Sequence, residues 1–269
     1  MNDNKTLSLS IMSGKGGVGK TNIVLNLGYA LHNANMTAML MDCDLGLANL
    51  DVLLGISPER NLQDLLRQGV DAEDVLVAIE NGFDMLPATS GVPELVEMDE
   101  DMQDILFKKL VKLAGLYDYL MLDLGAGISN TVLSFAALTQ LRIVVVTPEP
   151  TSMTDSYAMI KVLATQHKVR DFLILVNQAT SASEAKQTFE RLSMACKNFL
   201  NITVSSLGFV HQDPTLVESV RRQTPLLKFA PEARASKDIN LLAQKIMRYR
   251  EDNLNKIAER PILKDFVLM

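Results

Sequence analysis

The chain reads as an α/β protein, a doubly wound, mainly parallel sheet flanked by helices. Three observations predict this. Short, nearly unbroken apolar runs alternate with longer stretches of helical spacing, the pattern of strands buried on both faces and joined by crossover helices. The first run is followed by a glycine-rich loop, Ser13-Gly14-Lys15-Gly16-Gly17-Val18-Gly19-Lys20-Thr21, and then at once by a helical pattern. Two later runs end in aspartates, Asp42 and Asp123, and the carboxyl ends of parallel strands are where such sheets gather ligands.

Taken in order, Leu7–Met12 reads as the first buried strand, and from Asn22 to His32 the residues Ile23, Leu27, Ala30 and Leu31 recur at helical spacing. Further strands are predicted over Thr37–Asp42, Phe83–Leu86, Tyr119–Asp123, Ile143–Thr147, Phe172–Val176 and Leu207–Val210, all near-continuous apolar segments. Helices are predicted between them, among others over Asp101–Ala114, Ser152–Gln166 and Ser183–Leu200. No internal repeat, low-complexity tract or Pro/Ser-rich linker interrupts the pattern, so a single domain is expected over 1–246, with 247–269 as a C-terminal helical tail.

Composition narrows the function. A hydrophobic fraction of 48% is enough to cover both faces of a parallel sheet. The net charge of −6 supplies no global field for nucleic acid or an anionic membrane, so no direct nucleic-acid binding is expected. Cys43 and Cys196 belong to no C-x-x-C pattern, which suits a reducing compartment and offers no metal site. The short polar N-terminus predicts no signal peptide, and no apolar run approaches the ~18 residues of a membrane span. A cytoplasmic protein is expected.

The glycine loop is a complete phosphate-binding loop. Gly14, Gly16, Gly17 and Gly19 let backbone amides approach phosphates, Val18 completes the turn, and the helix that opens through Thr21 and Asn22 adds a partial positive charge. Lys20 is placed to bridge β- and γ-phosphates, and the Thr21 hydroxyl to ligate Mg²⁺. Lys15 is not required by the generic motif. It is either solvated or reaches a phosphate, its own or one held by a facing subunit.

The acids at the strand ends complete the set. In extended chain Asp42 and Asp44 point to the same side, so one is placed to hold a Mg²⁺-bound water and the other to orient the attacking water. Asp123-Leu124-Gly125-Ala126-Gly127 has the form of a Walker B aspartate followed by a γ-phosphate-sensing switch. The metal set is therefore Thr21, Asp42 and Asp123. Any of these acids alone would read as a helix cap; three at successive strand ends beside a phosphate loop do not.

Lys15-Gly16-Gly17-Val18-Gly19-Lys20-Thr21 resembles the deviant Walker A sequence of the MinD/ParA ATPases, whose extra lysine reaches into the partner subunit of an ATP-sandwich dimer. The chain is most similar to the MinD-like flagellar number regulators called FlhG or FleN. The similarity is carried by Met41–Gly55, by Asp123–Ile128, by Glu149-Pro150-Thr151-Ser152-Met153-Thr154-Asp155-Ser156-Tyr157-Ala158, and by Ala233–Ser236, and it extends from Leu7 to about Ile246. The resemblance implies a slow Mg²⁺-dependent ATPase that cycles between ATP and ADP and dimerises with ATP. Lys15, Lys20, Asp44 and Asp123 would serve catalysis, with Asp42 near Mg²⁺.

It also implies that Asn177 reads the adenine and that the loop Val210–Pro214, with Asp213, closes over the base. The competing assignment for Asn177 is a helix N-cap, with Ser181 and Ser183 as rival caps. Implied partners are a flagellar transcription activator, C-ring components and the GTPase FlhF. Two departures are visible. Only six residues precede the first strand, and they lack the Asp-Gln-Ala-x-x-Leu-Arg segment by which some members stimulate FlhF. The tail offers Ile262, Leu263, Phe266 and Val267 as one apolar face, either a weak, dimer-dependent membrane contact at the inner face of the cell membrane or a segment packed on its own domain or a partner. A MinD-type division-site protein, a ParA-type DNA-partition ATPase and a metabolic enzyme of the same fold are the alternatives.

Overall fold

The computed structural model describes residues 4–44, 50–67, 69–87 and 100–264. Eight strands form one sheet in the order β3-β4-β2-β5-β1-β6-β7-β8. They are β1 Leu7–Ser13, β2 Ala38–Cys43, β3 Val77–Glu80, β4 Phe83–Leu86, β5 Tyr119–Ala126, β6 Leu141–Val146, β7 Leu173–Ala179 and β8 Ser205–His211. Each neighbouring pair is parallel except β3 with β4. The helices are α1 Lys20–Asn33, α2 Leu50–Leu54, α3 Glu100–Ala114, α4 Asn130–Leu138, α5 Pro150–Gln166, α6 Ala182–Leu200, α7 Pro214–Arg221, α8 Leu226–Phe229, α9 Arg234–Asp252 and α10 Leu254–Ala258, with 3₁₀ turns at Leu62–Leu66 and Ala72–Val75.

The near-continuous apolar runs have a direct cause. Along β2, Met39 and Met41 join one core layer while Ala38 and Leu40 join the other; along β5, Leu120 and Leu122 oppose Tyr119 and Met121 in the same way. One layer is closed by α3, α4, α5 and α6, the other by α1, α8, α9 and α10. Burial of both faces removes the polar side of the usual alternation.

β1 differs. Leu7, Leu9 and Ile11 enter one layer, but Ser8 and Ser10, also buried, occupy the positions between them. Their hydroxyls serve neighbouring chain: Ser10 Oγ accepts from Thr139 Oγ1 at 3.0 Å, Ser8 Oγ accepts from the Gln140 amide at 3.0 Å, and Ser8 also donates to the Ile262 carbonyl.

The C-terminal stretch is thereby fixed. Gln140 Nε2 donates to the Pro261 carbonyl at 2.8 Å, the Lys264 amide donates to the Leu138 carbonyl at 3.0 Å, and Ile262 and Leu263 are buried in the core. Half of the expected apolar tail face is thus internal, because β1 and the α4–β6 turn provide the hydrogen bonds that hold it against the core. Phe266 and Val267 lie outside the described residues. Among the described residues no helix is long and apolar enough to cross a membrane.

Candidate functional site

The phosphate loop leaves the end of β1 at the centre of the sheet, between β5 and β6. Gly14 is required by packing: a Cβ there would lie 2.2 Å from the Asp155 carbonyl carbon, so α5 rests directly on the loop backbone. Gly19 is required by conformation, with φ 85° immediately before α1. No side chain caps α1, so its first amides keep their hydrogen-bonding capacity for an anion. A cavity of about 690 Å³ opens over this turn, lined by Gly16 to Asn22 together with Asp44, Val52, Leu53, Ala126 and Val220.

Inside the loop Lys20 is buried, and its Nζ bonds Asp123 Oδ1 at 2.7 Å. Burial raises the Asp123 carboxyl above the usual carboxylate range, opposed by the Lys20 charge and by a hydrogen bond with Thr21. β2 and β5 place Asp42 directly beside Asp123 in register. Asp42 Oδ1 accepts from the Asp44 amide at 3.0 Å and Oδ2 from the Leu50 amide at 3.4 Å, which holds the start of the chain after β2 against the site. Between the two acids of that turn, burial pushes the Cys43 thiol well above its ordinary range, and the carboxylates of Asp42 and Asp123 push it further.

Asn177, at the end of β7 and fully buried, donates through Nδ2 to the Val18 carbonyl at 2.7 Å. The helix cap that competed for this residue is supplied by Ser181, whose side chain accepts from the Glu184 amide. Asp213 is used differently: its carboxylate caps α7 through the Thr215 amide at 2.9 Å and also accepts from the Ala235 amide at 3.1 Å, tying α7 to the start of α9. Burial works against ionisation of Asp213, yet these amide bonds hold its carboxyl below the usual range.

Three contacts were not anticipated from the sequence. Lys15 Nζ pairs with Glu149 and donates to Thr151 Oγ1 at 3.2 Å. Gln178, at φ 58°, donates from Nε2 to the Gly17 carbonyl at 3.5 Å. Glu149 lies just ahead of Pro150 at the first position of α5, and that proline was the one local signal for its placement.

Mg²⁺ suits this donor set as a cation that arrives with a nucleotide. Among the described residues no three His, Cys, Asp or Glu side chains cluster as an all-protein metal cage. Mg²⁺ in nucleotide sites needs none, because phosphates and waters supply most of its oxygens and the protein adds one or two. A hydroxyl at Thr21 hydrogen-bonded to a buried acid, with a second acid alongside, meets that requirement.

A loop of this form at the switch of a parallel sheet, facing a strand-end acid, defines a P-loop nucleotide-binding protein of the deviant Walker A class. Comparison with known proteins agrees. Residues 6–247 match the family described as cellulose biosynthesis protein BcsQ. The chain is 36% identical over 238 residues to the antiactivator FleN of Pseudomonas aeruginosa, covering 88% of this chain and 85% of that one. It is 34% identical over 247 residues to the flagellum site-determining protein YlxH of Helicobacter pylori, covering 90% and 82%. The septum site-determining protein MinD of Pyrococcus horikoshii, solved with Mg-ADP, superposes with a TM-score of 0.73 at 25% identity over 94% of this chain and 98% of that one. The chain belongs to the MinD/ParA family of ATPases, alongside FleN and YlxH.

Proposed function

We propose that this protein is an ATP-dependent switch of the FlhG/FleN type, which regulates flagellar number or placement by dimerising with ATP and hydrolysing it slowly. The observation that supports it most is the division of labour between the two loop lysines. Lys20 is buried and lines the cavity; Lys15 is partly exposed, points toward α5 and is not among the cavity's lining residues. A cation held outside its own site is placed to serve a phosphate of a facing copy, which is a symmetric two-fold arrangement.

On nucleotide binding Lys20 leaves Asp123 for the β- and γ-phosphates, and the first amides of α1 close on the same oxygens. Mg²⁺, when bound with the nucleotide, neutralises phosphate charge, and Thr21, Asp42 and Asp123 are the residues that would hold it. Asp44, at the cavity wall, orients the attacking water. Asn177, which also holds the loop through the Val18 carbonyl, reads the adenine, and the β8–α7 loop with Asp213 closes over the base. A site without a charge-stabilising finger turns over at roughly 10⁻⁴ to 10⁻³ s⁻¹, so the monomer holds its ATP and hydrolysis, timed by dimerisation, acts as a timer.

The flagellar assignment is supported by the flagellum site-determining protein YlxH and by the antiactivator FleN, each matched over most of both chains. Partners of that system are a transcription activator, C-ring components and FlhF. The C-terminal stretch through Lys264, with Ile257, Ile262 and Leu263 buried, stays with its own domain in the nucleotide-free state, with any membrane contact at the inner face of the cell membrane weak and dependent on dimerisation. Electron microscopy of cells lacking the protein tests the reading. Altered flagellar number or position is expected; normal flagella with displaced septa would instead indicate a division-site role.

A further inference from the structure

Lys15 is not waiting free for a second copy. Its ammonium is engaged by two groups of its own chain, the Glu149 carboxylate and the Thr151 hydroxyl. Both come from the start of α5, and α5 is packed so closely on the loop that no side chain fits at Gly14. Pro150 at the first helical position fixes the backbone between the two partners. The frame that presents them is therefore rigid, while the pair itself is open to water, with side-chain exposures of 37% for Lys15 and 57% for Glu149. A pair of this kind holds a side chain in place yet is weak enough to open.

We propose that Glu149, with Thr151, is a latch in cis that holds Lys15 in the resting monomer and sets the threshold for ATP-dependent dimerisation. This rests on the reading of Lys15 as a donor to a phosphate in the facing copy. To make that contact the ammonium must leave Glu149, and the carboxylate it leaves must turn away from an incoming triphosphate of the same sign. A symmetric dimer opens two latches, so their effect enters the association constant twice. Glu149 is a positioning residue: it acts on the reaction through Lys15.

Exposed pairs of this strength shift an equilibrium by about two- to five-fold each, which gives about 4- to 25-fold for a dimer. Sedimentation velocity over a protein concentration series, with Mg²⁺ and a non-hydrolysable ATP analogue, reads this directly. Glu149→Gln is expected to tighten the dimer by that factor, and Thr151→Ala to tighten it by less. A Glu149→Gln dimer no tighter than wild type overturns the latch while leaving the dimer switch intact.

If the wild type stays monomeric at every concentration, the switch reading itself fails, and the latch is then decided on the nucleotide-free monomer. Lys15 acylation by an amine-reactive ester, followed by peptide mass spectrometry, is expected to run faster in both variants than in wild type, relative to the other lysines. Equal rates would remove the latch.

Discussion

The residues of the site divide into those recognisable from sequence and those that only the fold could reveal. The glycine loop and the strand-end acids follow local patterns, so Gly14, Lys20, Asp42 and Asp123 could be read directly. Contacts between distant residues could not: Lys15 meets Glu149 across 134 positions and Asn177 meets Val18 across 159, and no spacing rule links them. The two loop lysines also differ in what they do for stability. Lys20→Ala leaves the buried Asp123 carboxylate without its cation and is expected to lower the stability of the nucleotide-free protein by about 3–5 kcal/mol in urea unfolding. Lys15→Ala breaks only an exposed pair and should change it by less than about 1 kcal/mol. Equal losses in the two variants would contradict the burial assigned to the Lys20–Asp123 pair.

At the level of elements, the strands were legible because burial of both faces leaves them as unbroken apolar runs, and the long helices because their burial repeats with the helical period. β3 was not: it is a four-residue, half-exposed antiparallel edge strand, too short to show a pattern. α4 was not either, since it is only nine residues long and Val132, Leu133, Phe135, Ala136 and Leu138 are all buried, leaving Asn130, Thr131 and Ser134 as its few polar positions. What ends α4 is equally hidden in the sequence. Arg142, on the neighbouring strand and itself buried, donates to the carbonyls of Ala136, Ala137, Thr139 and Gln140, and burial lowers its guanidinium to about 10. Arg142→Ala is expected to destabilise the fold by about 2–3 kcal/mol, because buried carbonyls lose their donors. Arg142→Lys should recover only part of this, since one ammonium cannot reproduce the planar fork. Urea midpoints equal to wild type in either variant would show that α4 is held by apolar packing alone.

For the molecule as a whole, the resting state pairs each loop lysine with a carboxylate of its own chain, and nucleotide binding exchanges both partners. The inner exchange couples nucleotide to metal. A phosphate that takes Lys20 without bringing a cation leaves Asp123 buried and unpaired, so removing Mg²⁺ with EDTA is expected to weaken ATP binding by about 10²- to 10³-fold in a fluorescent-nucleotide titration. Unchanged affinity would mean that Asp123 does not face the metal. The outer exchange couples nucleotide to self-association, and Asp44→Ala should accumulate the ATP dimer by stalling hydrolysis.

The central claim, that Lys15 completes the site of a second copy, is tested most directly by size-exclusion chromatography with light scattering on wild type and Lys15→Ala, each with ADP and with Mg²⁺ plus a non-hydrolysable ATP analogue. The account predicts a wild-type dimer with the ATP analogue only, and a Lys15→Ala variant that binds the nucleotide yet stays monomeric. A wild type of one mass under both nucleotides, or a Lys15→Ala variant that dimerises as wild type does, would contradict it.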